Sequence, residues 1–289
     1  MYRINHRSSY SYSGAVDLSY HMLHLAPRIL PWQRVDELRI LSQPAPASKS
    51  ERTDYFGNRV TYLTLAQPHP KFMVEVEAVV DVRFPAPPAD DATPPWEAVR
   101  EALRQPTDPE HVAAAEFVFA SPQTPPSDAL LAYAEPSFPA GRPILAAVKD
   151  LTARIHRDFG FEPGATTIST PVDQVLEQRR GVCQDFAHLQ LAALRALGLA
   201  ARYVSGYIRT YHSAKDPLKG SDASHAWVSF FCPGHGWIDV DPTNDLVVND
   251  EHIVLAWGRD YDDVSPIRGV MLGGGDHYLT VAVTVTPQG

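Results

Sequence analysis

One segment constrains this chain more than any other. Gly181-Val182-Cys183 leads into QDFAHLQLAALRALG, which has helical composition and is apolar almost all round. A helix without a polar stripe is stable only where neighbours cover every side, so it must sit at the centre of a domain. Gly198 supplies its stop signal. The covering elements are legible nearby. In ILAAVKDLTARIHRDF, Ile144, Val148, Leu151 and Ile155 fall on one helical stripe, and VDQVLEQRR reads as a short helix after Pro171. Downstream, ARYVSGYIRTY, HAWVSFFC, HGWIDVD and HYLTVAVTVTP read as strands.

The first 85 residues have a different period. RINHRSSYSYS, VDELRILSQ, NRVTYLTLAQ and FMVEVEAVVDVRF show β composition and stretches of alternation, with turn chemistry at Asp54-Tyr55-Phe56-Gly57-Asn58. Between Pro85 and Pro143 prolines recur, which interrupts helices and central strands. WEAVREALRQ and HVAAAEFVFA read as short helices there. The expected division is a β domain over 1–85, a proline-rich connector over 86–143, and a core over 144–289.

Charge and cysteine content exclude several classes. A net charge of −9 and a pI near 5.7 argue against a general nucleic-acid binder and against docking on an anionic membrane. Two cysteines, Cys183 and Cys232, do not make a disulfide framework. With no signal peptide and no apolar run of membrane-spanning length to be read, the expectation is a cytoplasmic protein with free thiols.

Three positions point to thiol chemistry. Cys183 stands where a turn enters the buried helix, and the partial positive charge and free N–H groups of a helix start favour a thiolate. Arg179 and Arg180 lie just upstream, and the same N–H groups would stabilise an oxyanion. His225 opens a strand, and histidine is the usual base for a thiol nucleophile. Asp241 ends a strand before Pro242, where a carboxylate can orient an imidazole. Asp239 lies on the same face of that strand and is a rival on spacing alone. Gln184 beside the cysteine is a candidate oxyanion donor, and Tyr203, Tyr207 and Trp237 are candidates to line a cleft. Cys232, before Pro233-Gly234, reads as structural. His21, His24, Asp90, Asp91 and the Gly273–Gly275 cluster lack the spacing of a metal or phosphate motif, so no metal and no cofactor is expected.

GVCQDFAHLQLAALRALGLAARYVSGY, then SHAWVSFF, then GWIDVDPTND resemble, in order, the cysteine, histidine and aspartate motifs of the transglutaminase-like superfamily. YSYSGAVDLSYHMLHLAPR and DYFGNRV are similar to the β domain that precedes this core in bacterial members, and the Gly258–Gly269 region resembles their tail. The resemblance implies an α+β fold: a papain-like transglutaminase core, its cysteine on a buried helix packed against an antiparallel sheet, preceded by an N-terminal β-sandwich-like domain. It also implies Cys183 as nucleophile, His225 as base and Asp241, followed by Pro-Thr, as the orienting acid. The implied activity is acyl transfer from amide or peptide bonds through a thioester, with hydrolysis favoured. Amine transfer, or a non-catalytic scaffold on the same fold, is the alternative. Substrate, acyl acceptor and oligomeric state are not written in these motifs.

Overall fold

A strand of 22 residues organises the first half of the molecule, whose computed structural model describes residues 1–211, 218–221 and 223–288. This strand, β1 (Tyr2–Leu23), is followed by β2 (Gln33–Gln43), β3 (Ser48–Thr53), β4 (Arg59–Leu65) and β5 (His69–Val82). Alternation buries Tyr2, Ile4, His6 and Ser8 on one side of β1. The register of β1 on β5 shifts between Ser11 and Val16, and from Ser19 onward β1 pairs with β4 instead. The expected β-sandwich-like domain thus takes the form of one curled antiparallel sheet, with order β2-β5-β1-β4-β3. The turn predicted at Asp54–Asn58 is present, closed by the Asn58 N–H donating to Asp54 Oδ1 at 2.8 Å.

The proline-rich stretch holds α1 (Trp96–Arg104), α2 (Pro109–Ala115) and α3 (Asp128–Ala134). It is not a tether. Trp96, Leu103, Phe117, Leu130 and Phe138 are buried in the same core as the central helix, so apolar burial overrides the connector expected over 86–143.

Next come α4 (Ile144–Asp158), β6 (Gly160–Phe161), α5 (Val172–Gln178), β7 (Arg180–Gly181) and α6 (Cys183–Ala196). After them run β8 (Ala201–Ile208), β9 (His225–Cys232), β10 (Gly236–Asp241), β11 (Leu246–Val247) and β12 (His252–Gly258). The short helix α7 (Tyr261–Val264) precedes β13 (Ile267–Gly273) and β14 (His277–Pro287). As expected, α6 is the buried centre, with Phe186, Leu189, Leu191 and Leu194 essentially inaccessible. Each such side chain contributes about 1.5–3 kcal/mol by leaving water. Against it lies a five-stranded antiparallel sheet of order β11-β10-β9-β8-β12. Arg195, also buried, ties α6 to the proline-rich stretch through Phe117 O, Ser121 Oγ and Thr124 Oγ1.

The last two strands correct the expected core of 144–289. β13 and β14 both pair with β1 and complete the first sheet, which has seven strands. The two sheets share buried contacts: Tyr2, Ile4, Val80 and Val283 pack on Tyr207, Ile253 and Leu255. Gln33 fixes the junction, its Nε2–H donating to Val254 O and its Oε1 accepting the Val254 N–H, both at 2.8 Å. Among the described residues, no helix is long and apolar enough to cross a membrane.

Candidate active site

The turn before α6 is built by one carboxylate. Asp185 folds back to accept the Val182 N–H at 2.8 Å and the Thr166 hydroxyl at 2.6 Å. This is the backward half of a capping box. A Cβ on residue 181 would lie 2.6 Å from that carboxylate, which is why glycine stands there. Burial pushes the Asp185 carboxyl upward in pKa, opposed by its bonds to Thr166 and Val182. The result places Cys183 at the first position of α6, half-buried, beside N–H groups that no helical carbonyl reaches. The upstream cations are engaged elsewhere. Arg179 stacks on Tyr133 and Phe159 at 4.9 and 4.8 Å, and Arg180 pairs with Glu162 at 3.6 Å.

His225 begins β9, and the antiparallel register that sets Val240 against Val228 brings the end of β10 beside it. His225 Nε2 lies 2.8 Å from Asp241 Oδ2, and both side chains are fully buried. Asp241 is held from every side. Its Oδ1 accepts the N–H groups of Thr243 and Asn244 at 2.9 and 3.3 Å, and its Oδ2 also accepts Asn244 Nδ2 at 2.7 Å and His252 Nε2 at 3.3 Å. Burial alone would disfavour both charges, but each partner's field outweighs it. The Asp241 carboxyl falls well below the usual range, and the His225 imidazole rises to about 10, helped by the Cys183 thiol beside it. The bond to Asp241 assigns the proton on that side to Nε2. Among the described residues Nδ1 meets no hydrogen-bond partner, so it is the nitrogen left to exchange a proton. Gly220 packs against it, since a Cβ there would lie 2.7 Å from Nδ1.

The rival Asp239 faces elsewhere. Its Oδ2 accepts the Trp227 Nε1–H at 2.9 Å, one step along the strand from the imidazole. The remaining expectations divide. Gln184 is half-buried next to Cys183, and its side-chain amide donates to Ile168 O at 3.3 Å. Tyr203 packs on His188 of α6 with ring centroids 5.1 Å apart. Tyr207 does not line a cleft: it is fully buried, and its hydroxyl meets His6 Nδ1 in the first sheet at 2.8 Å. Trp237 lies at the opposite end of β10 from Asp241, against Phe117 and Phe231. Cys232 is buried in the core, and burial pushes its thiol up to about 11.

Sequence reasoning missed His252 and Asn244. His252 is one of twelve histidines and carries no motif of its own, whereas Asn244 stood inside the quoted GWIDVDPTND without a role. His225, Asp241 and His252 offer atoms within 4.8 Å of one another, a spacing that would suit a metal ion. Here both imidazoles converge on one oxygen of Asp241, so the donors already satisfy each other.

The geometry can be set beside known proteins. The description "Bacterial transglutaminase-like N-terminal region" matches residues 2–81, and "Transglutaminase-like superfamily" matches residues 133–242. A Mycobacterium tuberculosis protein of uncharacterised activity is 41% identical over 295 residues, covering 99% of this chain and 92% of its own. A Mycobacterium leprae relative, also uncharacterised, is 33% identical and covers 98% of each chain. A protein-glutamine gamma-glutamyltransferase of Pseudomonas aeruginosa is 33% identical over 102 residues, 32% of this chain and 15% of that one. Among solved structures, a Cytophaga hutchinsonii protein described as a candidate cysteine protease superposes with a TM-score of 0.77. It is 22% identical and covers 99% of this chain and 89% of its own, a likeness of fold.

Proposed function

Because the chain belongs to the transglutaminase-like superfamily, we propose that it is a cysteine-dependent acyl-transfer enzyme acting on amide or peptide bonds. Cys183 is the nucleophile, His225 carries protons and Asp241 orients His225. The observation that carries this reading is the buried 2.8 Å bond between His225 and Asp241, which leaves Nδ1 of an imidazole adjoining Cys183 without a hydrogen-bond partner among the described residues.

The steps follow from those positions. His225, which Asp241 holds protonated at neutral pH, carries the proton given up by Cys183 on Nδ1, and Sγ attacks the amide carbon. Negative charge gathers on the carbonyl oxygen, within reach of the N–H groups that open α6. His225 returns the proton to the leaving amine, the C–N bond breaks, and a thioester remains. His225 then takes a proton from water, whose oxygen attacks the thioester; the C–S bond breaks, an acid is released, and the proton remains on His225 as at the outset. Throughout, Asp241 stabilises the imidazolium and fixes its tautomer.

Hydrolysis is the favoured outcome because water is the most abundant acceptor. Amine transfer is the second reading, favoured by the likeness to the gamma-glutamyltransferase. The test incubates the protein with a peptide library, with and without a primary amine, and follows Cys183 and the products by mass spectrometry. An acyl adduct on Cys183 and free acid are expected. No adduct, and products unchanged in Cys183→Ser, would sink the enzyme reading. An amide of the added amine would replace hydrolysis by transfer.

A further inference from the structure

The face of the second sheet turned away from α6 borders a cavity of about 740 Å³ that the reaction above does not use. One wall is Arg202, Trp237, Asp239 and Trp257; the other is Trp32, Phe84 and the prolines that follow the first sheet. We propose that this cavity binds a monocarboxylate with an apolar body, held by the guanidinium of Arg202.

Arg202 is the anomaly that demands a ligand. It is 7% exposed, its Nε has no partner, and neither terminal nitrogen enters a hydrogen bond or ion pair among the described residues. Arg195 gives the comparison inside the same molecule. At the same 7% exposure it donates to the carbonyls of Phe117, Ala201 and Arg259 and to the hydroxyls of Ser121 and Thr124. What surrounds Arg202 instead is aromatic: its guanidinium lies 4.2 Å from the Trp237 ring centre and 3.8 Å from that of Trp257. Both indoles engage the guanidinium through their rings, which leaves its N–H groups without an acceptor among the described residues. A buried donor without an acceptor is costly, so these groups await an oxygen.

The class of ligand follows from what else borders the space. Asp239 acts on Arg202 through its field, yet its Oδ2 is taken by Trp227. Arg28 stacks on Trp257 but donates to Phe56 O and Asn58, and it does not border the cavity. What is open is the N–H edge of the guanidinium, which fits the two oxygens of a carboxylate, and with Asp239 lining the same space a phosphate dianion would meet more repulsion than a monoanion. Trp32 borders the same space with a buried Nε1–H that also has no acceptor among the described residues, a second donor for the same group. The remaining wall of Phe84, Pro85, Pro87 and Val248 suits an apolar body. A free aromatic acid and the C-terminal residue of a peptide share this chemistry.

The test is a titration of the full chain, read by the fluorescence of the tryptophans that border the cavity. The probes are 3-phenylpropionate, acetyl-Ala-Phe with a free C-terminal carboxylate, the matching amides of both, and inorganic phosphate. Saturable change is expected with a carboxylate and not with its amide. A response to 3-phenylpropionate marks a free acid as the occupant, and a response to acetyl-Ala-Phe alone marks a chain terminus; either supports the proposal. Arg202→Gln should weaken the response on the order of 10- to 100-fold. Should that variant not fold, Trp32→Phe keeps the ring, removes the N–H, and should weaken it several-fold. Equal response to acid and amide, tighter binding of phosphate, no response to either acid, or undiminished binding in the folded variants would overturn the proposal. The readout is binding, so the result stands apart from whether Cys183 is a nucleophile.

Discussion

Asn244 Nδ2 lies 2.7 Å from Asp241 Oδ2, the same oxygen that faces His225 Nε2 at 2.8 Å. The Oδ1 of Asn244 meanwhile accepts the Lys219 N–H at 2.8 Å, beside the Gly220 that packs on the imidazole. One amide thus spans the carboxylate and the loop over the ring. Asn244→Ala should lower kcat/KM by about tenfold, a typical cost of one bond to a charged group. KM should move less than kcat, because ring alignment matters most in the transition state. Unchanged kinetics in a folded variant would remove Asn244 from the site.

Asp241→Asn should cost far more turnover than Asp239→Asn, on the order of 10²-fold or more, because an amide there can hold the wrong tautomer of His225. It should also destabilise the fold. An amide replaces one acceptor oxygen by a donor, in a place where five donors converge. Breaking such a buried network costs about 3–5 kcal/mol, measurable as a lower urea midpoint. Greater loss of turnover in Asp239→Asn would reverse the assignment.

Iodoacetamide near neutral pH should label Cys183 before Cys232. Cys183 is half-buried, whereas Cys232 is enclosed and its thiol is pushed up to about 11 by burial. Peptide mapping after brief exposure reads the order. Faster modification of Cys232 would argue against a reactive Cys183.

The His225–Asp241 pair sets a pH window for stability. Asp241 raises the His225 value above the ordinary ~6.5, so this contribution is full below that value and is lost as pH rises through about 10. For Asp241 the sign is opposite: His225 and His252 overcome burial and lower its value, so its contribution is present above ~3.9 and is lost as pH falls through the depressed folded value. The two describe one pair and count once. Urea midpoints should fall toward alkaline pH more steeply in the native chain than in His225→Gln. Parallel curves between about pH 7 and about pH 11 would contradict the pairing.

Gly206→Ala should destabilise the protein by about 1–3 kcal/mol or more. A Cβ there would lie 2.2 Å from Ile253 O and 2.3 Å from the Trp227 ring, and neither backbone nor a buried indole can move aside cheaply. A thermal midpoint equal to that of the native chain would show that the sheet relaxes more than its packing suggests.

Much of this was legible in sequence, for identifiable reasons. The run after Cys183, apolar almost all round, could only be a central helix, and period-2 alternation marked the strands. His225 and Asp241 stood in ordered motifs. What escaped depends on long-range pairing. The alternation in HYLTVAVTVTP says strand but not which sheet, and its partner β1 lies more than 260 positions away, as in Tyr10 against Leu279. Proline frequency between 85 and 143 said connector, yet Trp96, Phe117 and Phe138 find enough apolar surface to join the core. Tyr207 was placed at a cleft because it is aromatic and near the motifs; only the register of the sheets shows it facing His6. A fragment starting near Pro139 would therefore not isolate a core, because it keeps β13 and β14 without β1.

The same pairing has a consequence for how the molecule is made. β1 leaves the ribosome before the other strands of its sheet, and its N-terminal half can pair with β5 once β5 has followed. Its other edge is reserved for β14, with Met1 O accepting the Gln288 N–H at 3.0 Å. During translation that edge stays open while everything between is synthesised, a template for any stray strand that meets it. The first sheet is closed by β14, which emerges after α4, α5 and α6, so its completion follows translation of the helical core rather than preceding it.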